Sequence, residues 1–320
     1  MKFTEKQLES MASSISATEE EKCKHAINMV REALKEIDYL DDDNDIYLEH
    51  SDTLSYTINM RKKATDVRIK LLIQGSYANK TNISSESDVD IAVILESTFM
   101  SEYRPGITRE SYGFSEGTFS ASELKDDVER ALKKHFGSIA VERHDKSIKV
   151  IGNTYRVDAD IVPAYRHRDY SADYLLNSSN YIKGIMIISD SGERIINYPE
   201  QHIVNGIAKN KQTDYKYKKM VRIIKNMKEL MKKNNITISP EISSFGLESL
   251  LWNVPETVFS KYCNLRFVFD EILRHLLADA ENFHKYTEAN GIKPLFSNSS
   301  VILAYKQFIT TLFNFFEYDI

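Results

Sequence analysis

Cysteine is scarce in this chain. Its 320 residues hold two, Cys23 and Cys263, far apart and without a His or Cys at ligand spacing. That excludes a zinc ribbon or finger and fits a reducing compartment. A basic excess is missing too: Lys and Arg number 42 against 47 Asp and Glu, a formal charge of −5. Proteins that track a nucleic-acid backbone carry such an excess, so a stable complex with long DNA or RNA is disfavoured, while a local basic groove remains allowed. No stretch approaches the roughly 18 consecutive apolar residues of a membrane helix. The opening MKFTEKQLESMASS is charged and mixed, unlike a signal peptide. No internal repeat or low-complexity tract is visible. These absences leave a cytoplasmic globular protein, and a hydrophobic fraction of 42% gives ample core for one large domain or two lobes.

What is present changes character along the chain. Residues 19–40 space Ala26, Ile27, Val30, Ala33, Leu34 and Ile37 at three and four, a helix with one apolar stripe. The acidic run Asp41 to Asp45 ends it as a solvated turn. A second helix is expected over about 46–67. Val67 to Ile73 and Asp88 to Leu95 read as strands. Residues 97–120, with Gly, Ser and Pro and no period, read as a surface loop. A helix follows at 121–136, then strands at 138–144, 146–152, 154–162 and 181–189. From Pro199 onward every apolar pattern is helical. The reading is α+β: a strand-rich lobe over 1–195 and a helical lobe over 196–320, with a long N-terminal helix bracing both.

The chemistry is carried by QGSYANKTNISSESDVDIAV, residues 74–93. Alternation along a strand puts Asp88 and Asp90 on one face, with Val89 and Ile91 on the other. Two ionised carboxylates in a buried strand repel and lose hydration. A divalent cation removes that cost, and Mg²⁺ takes carboxylate and phosphate oxygens. Gly75 ends the preceding strand and permits close approach of a ligand. A helix starting at Ser76 would offer its N–H groups and hydroxyl to an anion; taken alone, Ser76 reads better as an ordinary N-cap, and the neighbouring carboxylates favour the anion reading. A phosphate cradle beside a metal site points to phosphoryl transfer. A third carboxylate comes from TYRVDADIVPAY, where Asp158 and Asp160 share a face. Asp160 is chosen because it directly precedes Ile161-Val162; Asp158 is then a supporting residue or solvated. Two ions about 4 Å apart clamp both oxygens of an in-line displacement.

The Gly-Ser pair followed by Asp-x-Asp resembles the signature of polymerase-β-type nucleotidyltransferases, and DADIVPAY resembles their third-acid strand. INYPEQH and YKYKKMVRIIKNMK narrow the resemblance to the bacterial cGAS/DncV-like nucleotidyltransferases, or CD-NTases. It spans most of residues 70–235. It implies a polymerase-β-like sheet lobe with a C-terminal helical lobe, and condensation of nucleoside triphosphates, ATP or UTP or both, into a cyclic di- or oligonucleotide. Gly75 and Ser76 would hold the donor triphosphate, while Asp88, Asp90 and Asp160 would hold two Mg²⁺. Lys218 and Lys225, two turns apart on one helix, resemble the family's basic residues near the phosphates; each also reads as a solvated lysine. Asn197 resembles a residue favouring a pyrimidine, since an amide complements a uracil edge; it reads equally as a turn residue before Pro199. The resemblance further implies bacterial anti-phage signalling through a product-activated effector. The animal relative that senses DNA has a zinc-binding insert. No Cys/His cluster occurs here, so no DNA activator is expected. Linear nucleotidyl transfer to RNA or protein, and nucleotide binding without turnover, are the competing readings.

Overall fold

The computed structural model describes residues 2–42, 46–83, 88–117, 121–154 and 157–317. Two helices open the chain, α1 (Glu5–Ala12) and α2 (Ala17–Lys35). Thr4 and Gln7 cap α1 reciprocally, satisfying two of its orphan donors. The apolar stripe read for α2 is buried at Ala26, Ile27, Val30, Ala33 and Leu34. The helix stops at Lys35, however, and β1 (Tyr39–Asp41) follows.

The expected helix over 46–67 is replaced by β2 (Tyr47–Leu48), β3 (Tyr56–Lys62) and the start of β4 (Val67–Gln74). SYTINM is β-branched and aromatic, which suits a pleated surface, and β3 pairs with β4 from Thr57↔Leu72 to Lys62↔Val67. After the single turn α3 (Gly75–Ala78) comes β5 (Val89–Tyr103), which runs well into the expected loop. Its outer half pairs with β8 (Ala159–Tyr170) past a register shift between Leu95 and Phe99, reaching Tyr103↔Tyr170. The helix α4 (Ala121–Phe136) lies where periodicity placed it. The three short strand candidates become β6 (Val141–Arg143), β7 (Ile148–Val150) and β8; β9 (Ile182–Ile188) and β10 (Arg194–Asn197) complete the set. Parts of the acidic run, of the loop and of the third-acid strand lie outside the described residues.

Among the described residues, ten strands form one mixed sheet in the order β1-β3-β4-β5-β8-β7-β6, with β2 also on β3, β9 on β8 and β10 on β9. β5 and β8 run parallel at its centre. Leu72, Ala92, Ile94, Val162, Ala164, Ile185 and Ile187 make an apolar cluster on one face. By alternation this is the face of Asp90 and Asp160.

Two compact units divide the described chain: 17–78 with 88–199, and 2–16 with 79–83 and 200–317. The division is discontinuous, unlike the single cut near 195. Residues 2–16 join the helical unit because α1 packs on α6 (Tyr217–Lys233). Besides α6, that unit contains α5 (Pro199–Gln212), α7 (Ser244–Trp252), α8 (Glu256–Ser260), α9 (Leu265–Ala278) and α10 (Ser299–Glu317). Met220, Val221, Ile224 and Met227 of α6 sit in its core with Phe269 of α9 and Phe308, Leu312, Phe315 and Phe316 of α10.

Candidate active site

The site is built from strand register. One cross-strand row reads Gln74, Asp90, Asp160, Lys149, over β4, β5, β8 and β7. Neighbouring strands lie about 4.8 Å apart, so Asp90 and Asp160 stand side by side on one face. Asp88 immediately precedes β5. Val89 donates its N–H to the Asp158 carbonyl at 2.9 Å, which sets the two aspartate-bearing strand ends level. The sheet unit therefore brings together Gly75, Ser76, Asp88, Asp90 and Asp160.

Gly75 has a structural reason to be glycine. Its φ is +70°, and a β-carbon there would collide with the Asp90 carboxylate. The left-handed turn and the close approach each exclude a side chain. The turn thus begins one residue earlier than expected and lasts four residues.

Electrostatics mark Asp90. Burial first, then Asp160 and Asp88, push its carboxyl up to about 7. Burial and Asp88 also raise Asp160, while Lys149 opposes the shift. Sequence reading missed Lys149. Its ammonium lies 2.8 Å from Asp88 and 3.1 Å from Asp158. The signal was a lysine between the buried Ile148 and Val150 of a strand, hence on the opposite face from both.

The donor set is carboxylate oxygen throughout, the chemistry of a hard cation such as Mg²⁺. Asp90 and Asp160 fit that role by register and by the cost of their uncompensated charge. Asp88 fits by position, although its carboxylate is drawn onto Lys149. Among the described residues no three acidic, His or Cys side chains already converge as a metal-binding group.

The remaining candidates lie elsewhere in the chain. Asn197 ends β10 level with Ile185, which pairs with Arg166 of β8. That is six residues beyond Asp160, or about 20 Å along the strand path. Asn197 shares its face with Ile195, which packs on the apolar cluster. Tyr198 is buried, its ring edge-on to His167. In the helical unit Lys218 and Lys225 are both buried. The backbone N–H of Lys218 donates to Asn210 at 3.1 Å. Lys225 donates to the Thr81 carbonyl at 3.0 Å and pairs with Glu248 at 3.1 Å. Glu248, a second omission, also accepts from Thr81 at 2.6 Å and meets His202 at 2.9 Å. Burial alone would raise the Glu248 carboxyl; Lys225 and His202 overcome it and hold the group well below the usual range. A lone charge in the apolar run SFGLESLLW was the available cue.

A mixed sheet whose central parallel strands present level aspartates beside a Gly-Ser turn is the arrangement expected of a nucleotidyltransferase. Comparison with known proteins carries this further. Residues 204–317 match the cGAS/DncV-like nucleotidyltransferase C-terminal helical domain. The chain is 42% identical, over all of its length and 98% of the relative's, to the cyclic GMP-AMP synthase CdnE03 of Staphylococcus schleiferi. It is 36% identical to the cyclic dipyrimidine nucleotide synthase CdnE of Cecembia lonarensis, over 82% of this chain and 79% of that one. Its fold matches the Rhodothermus marinus CdnE c-UMP-AMP synthase solved with Apcpp and Upnpp, at a TM-score of 0.78, 26% identity and 99% coverage of both chains. The chain belongs to the CD-NTase family and is a nucleotidyltransferase of the cyclic dinucleotide synthase type.

Proposed function

We propose that this enzyme joins two nucleoside triphosphates, one of them ATP, into a cyclic dinucleotide. A ribose hydroxyl of one nucleotide gives its proton to solvent and attacks the α-phosphate of the other. The new P–O bond replaces the bond to pyrophosphate, which leaves. The linear intermediate binds again at the same aspartates and the same exchange closes the ring. Gly75 and Ser76 receive the donor triphosphate, and Asp88, Asp90 and Asp160 would hold two magnesium ions. Bound there, the ions would supply the positive charge that a polyanionic triphosphate needs. The observation that carries this reading is the level row of Asp90 and Asp160 with Gly75 packed against the Asp90 carboxylate.

For the second nucleotide, the amide of Asn197 supports UTP, and the name of the Staphylococcus relative supports GTP. Family membership supports a cytoplasmic role in anti-phage signalling, with the product activating a separate effector. No helix among the described residues is long and apolar enough to cross a membrane.

The test is incubation with four NTPs and Mg²⁺, then phosphatase and mass spectrometry. A phosphatase-resistant ring containing AMP, formed with either UMP or GMP, is expected. A product that loses terminal phosphate would establish linear transfer instead. The double variant Asp88→Ala/Asp90→Ala should make no product while keeping the wild-type circular dichroism spectrum. Asn197→Ser should shift base choice toward purine if the amide reads uracil; an unchanged product spectrum removes that assignment.

A further inference from the structure

The acidic face contains one cation whose placement the reaction does not explain. Lys149 is the cross-strand partner of Asp160 on β7, so its stem rises on the aspartate face. Its ammonium does not settle on Asp160. It reaches Asp88 at 2.8 Å and Asp158 at 3.1 Å. Asp158 is itself fixed, accepting the backbone N–H of Gly152. Asp88 and Asp160 are thus held by different surroundings, although both would serve the metal-dependent reading.

We propose that Lys149 is a placeholder cation: it holds the Asp88 carboxylate until divalent metal arrives, then parks on Asp158. This rests on the metal-dependent reading above. Three features suit it to the task. An ammonium is a compact point charge on a flexible stem, without the forked grip of a guanidinium. The side chains involved are 26%, 33% and 40% exposed, so the pairs are partly solvated and individually weak. Asp158 gives the ammonium a second partner, so release of Asp88 leaves no unpaired charge behind. Lys149 is therefore a positioning residue that sets how much metal is needed to load the site.

The experiment measures Mn²⁺ binding to nucleotide-free protein, by loss of the free-ion paramagnetic resonance signal. Lys149→Met keeps the stem and removes the competitor, so half-saturating Mn²⁺ should fall about three- to fivefold, the scale of a partly exposed pair. Lys149→Arg grips Asp88 more firmly and should raise it. If Lys149→Met does not fold, the rise in Lys149→Arg carries the test. Lys146→Met is the control, because Lys146 is paired with Glu193 instead. An equal fall in Lys146→Met would reduce the effect to bulk charge and overturn the proposal, as would unchanged binding in both Lys149 variants. Product formation is measured alongside. Wild-type turnover with unaltered Mn²⁺ binding by the variants defeats only the placeholder; absence of both binding and turnover in the wild type defeats the site itself.

Discussion

Asp90 shows how a single residue can be costly to the fold it serves. Its folded carboxyl sits at about 7 against an unfolded 3.8, so the native state holds that proton more tightly than the unfolded chain. The sign follows from linkage. Below pH 4 the group contributes nothing; as pH rises toward 7 the unfolded form ionises first and stability is lost; above 7 the loss is complete, at most on the order of 4 kcal/mol for three units. Asp90→Asn removes the effect. The metal-free variant should therefore melt higher than wild type at pH 8, with the gap shrinking by more than half at pH 5. A gap independent of pH would mean that Asp90 is not strained. Gly75→Ala tests the same contact from the other side. The alanine needs an unfavourable φ and meets the Asp90 carboxylate, so a stability loss of about 1–3 kcal/mol is expected, read by urea unfolding, together with loss of product. The aspartate pair was legible because alternation is local. The reason for the glycine was not, since it depends on a side chain fifteen positions away.

At the level of elements, legibility tracked how much of a signal is local. β4 and the start of β5 announce themselves by an apolar run closed by Gly or opened by Asp. The outer half of β5 is STFMSEY, mostly half-buried, and only its partner strand β8 defines it. β3 was misread because its charged end, Arg61 and Lys62, masked a β-branched centre. α6 shows the opposite problem: its periodicity fixed the helix but not the destination of its cations. Lys225, expected beside phosphate, is engaged by Glu248 and the 79–83 segment. The two roles separate experimentally. A lysine whose work is internal leaves a buried carboxylate short of its partner when replaced by Met, so Lys225→Met should lose about 3–5 kcal/mol in denaturant unfolding. A lysine that serves only the triphosphate should leave stability unchanged and raise KM for NTP. Aromatic α10 offers no such ambiguity, since Phe308, Phe315 and Phe316 are core residues.

At the scale of the whole molecule, apolar patterning pointed to an α+β chain and the motif resemblance to a nucleotidyltransferase, but the discontinuous units were beyond both. Residues 2–16 and 79–83 have no composition that assigns them to helices more than a hundred positions away; Arg222 does so by donating to the Ala12 carbonyl at 2.6 Å, and Lys225 by holding Thr81. The same global view bears on what switches the enzyme on. Counterion release makes affinity for DNA grow with the number of phosphates a protein neutralises. This chain is net acidic, at −5, and its cysteines are two isolated residues, which argues against a duplex as the activator. Nuclease-treated enzyme should therefore form product with NTPs and Mg²⁺ alone, at a rate unchanged by added DNA or RNA. Strict dependence on either nucleic acid would mean that a local basic groove outweighs the overall charge, and the argument from composition would fail with it.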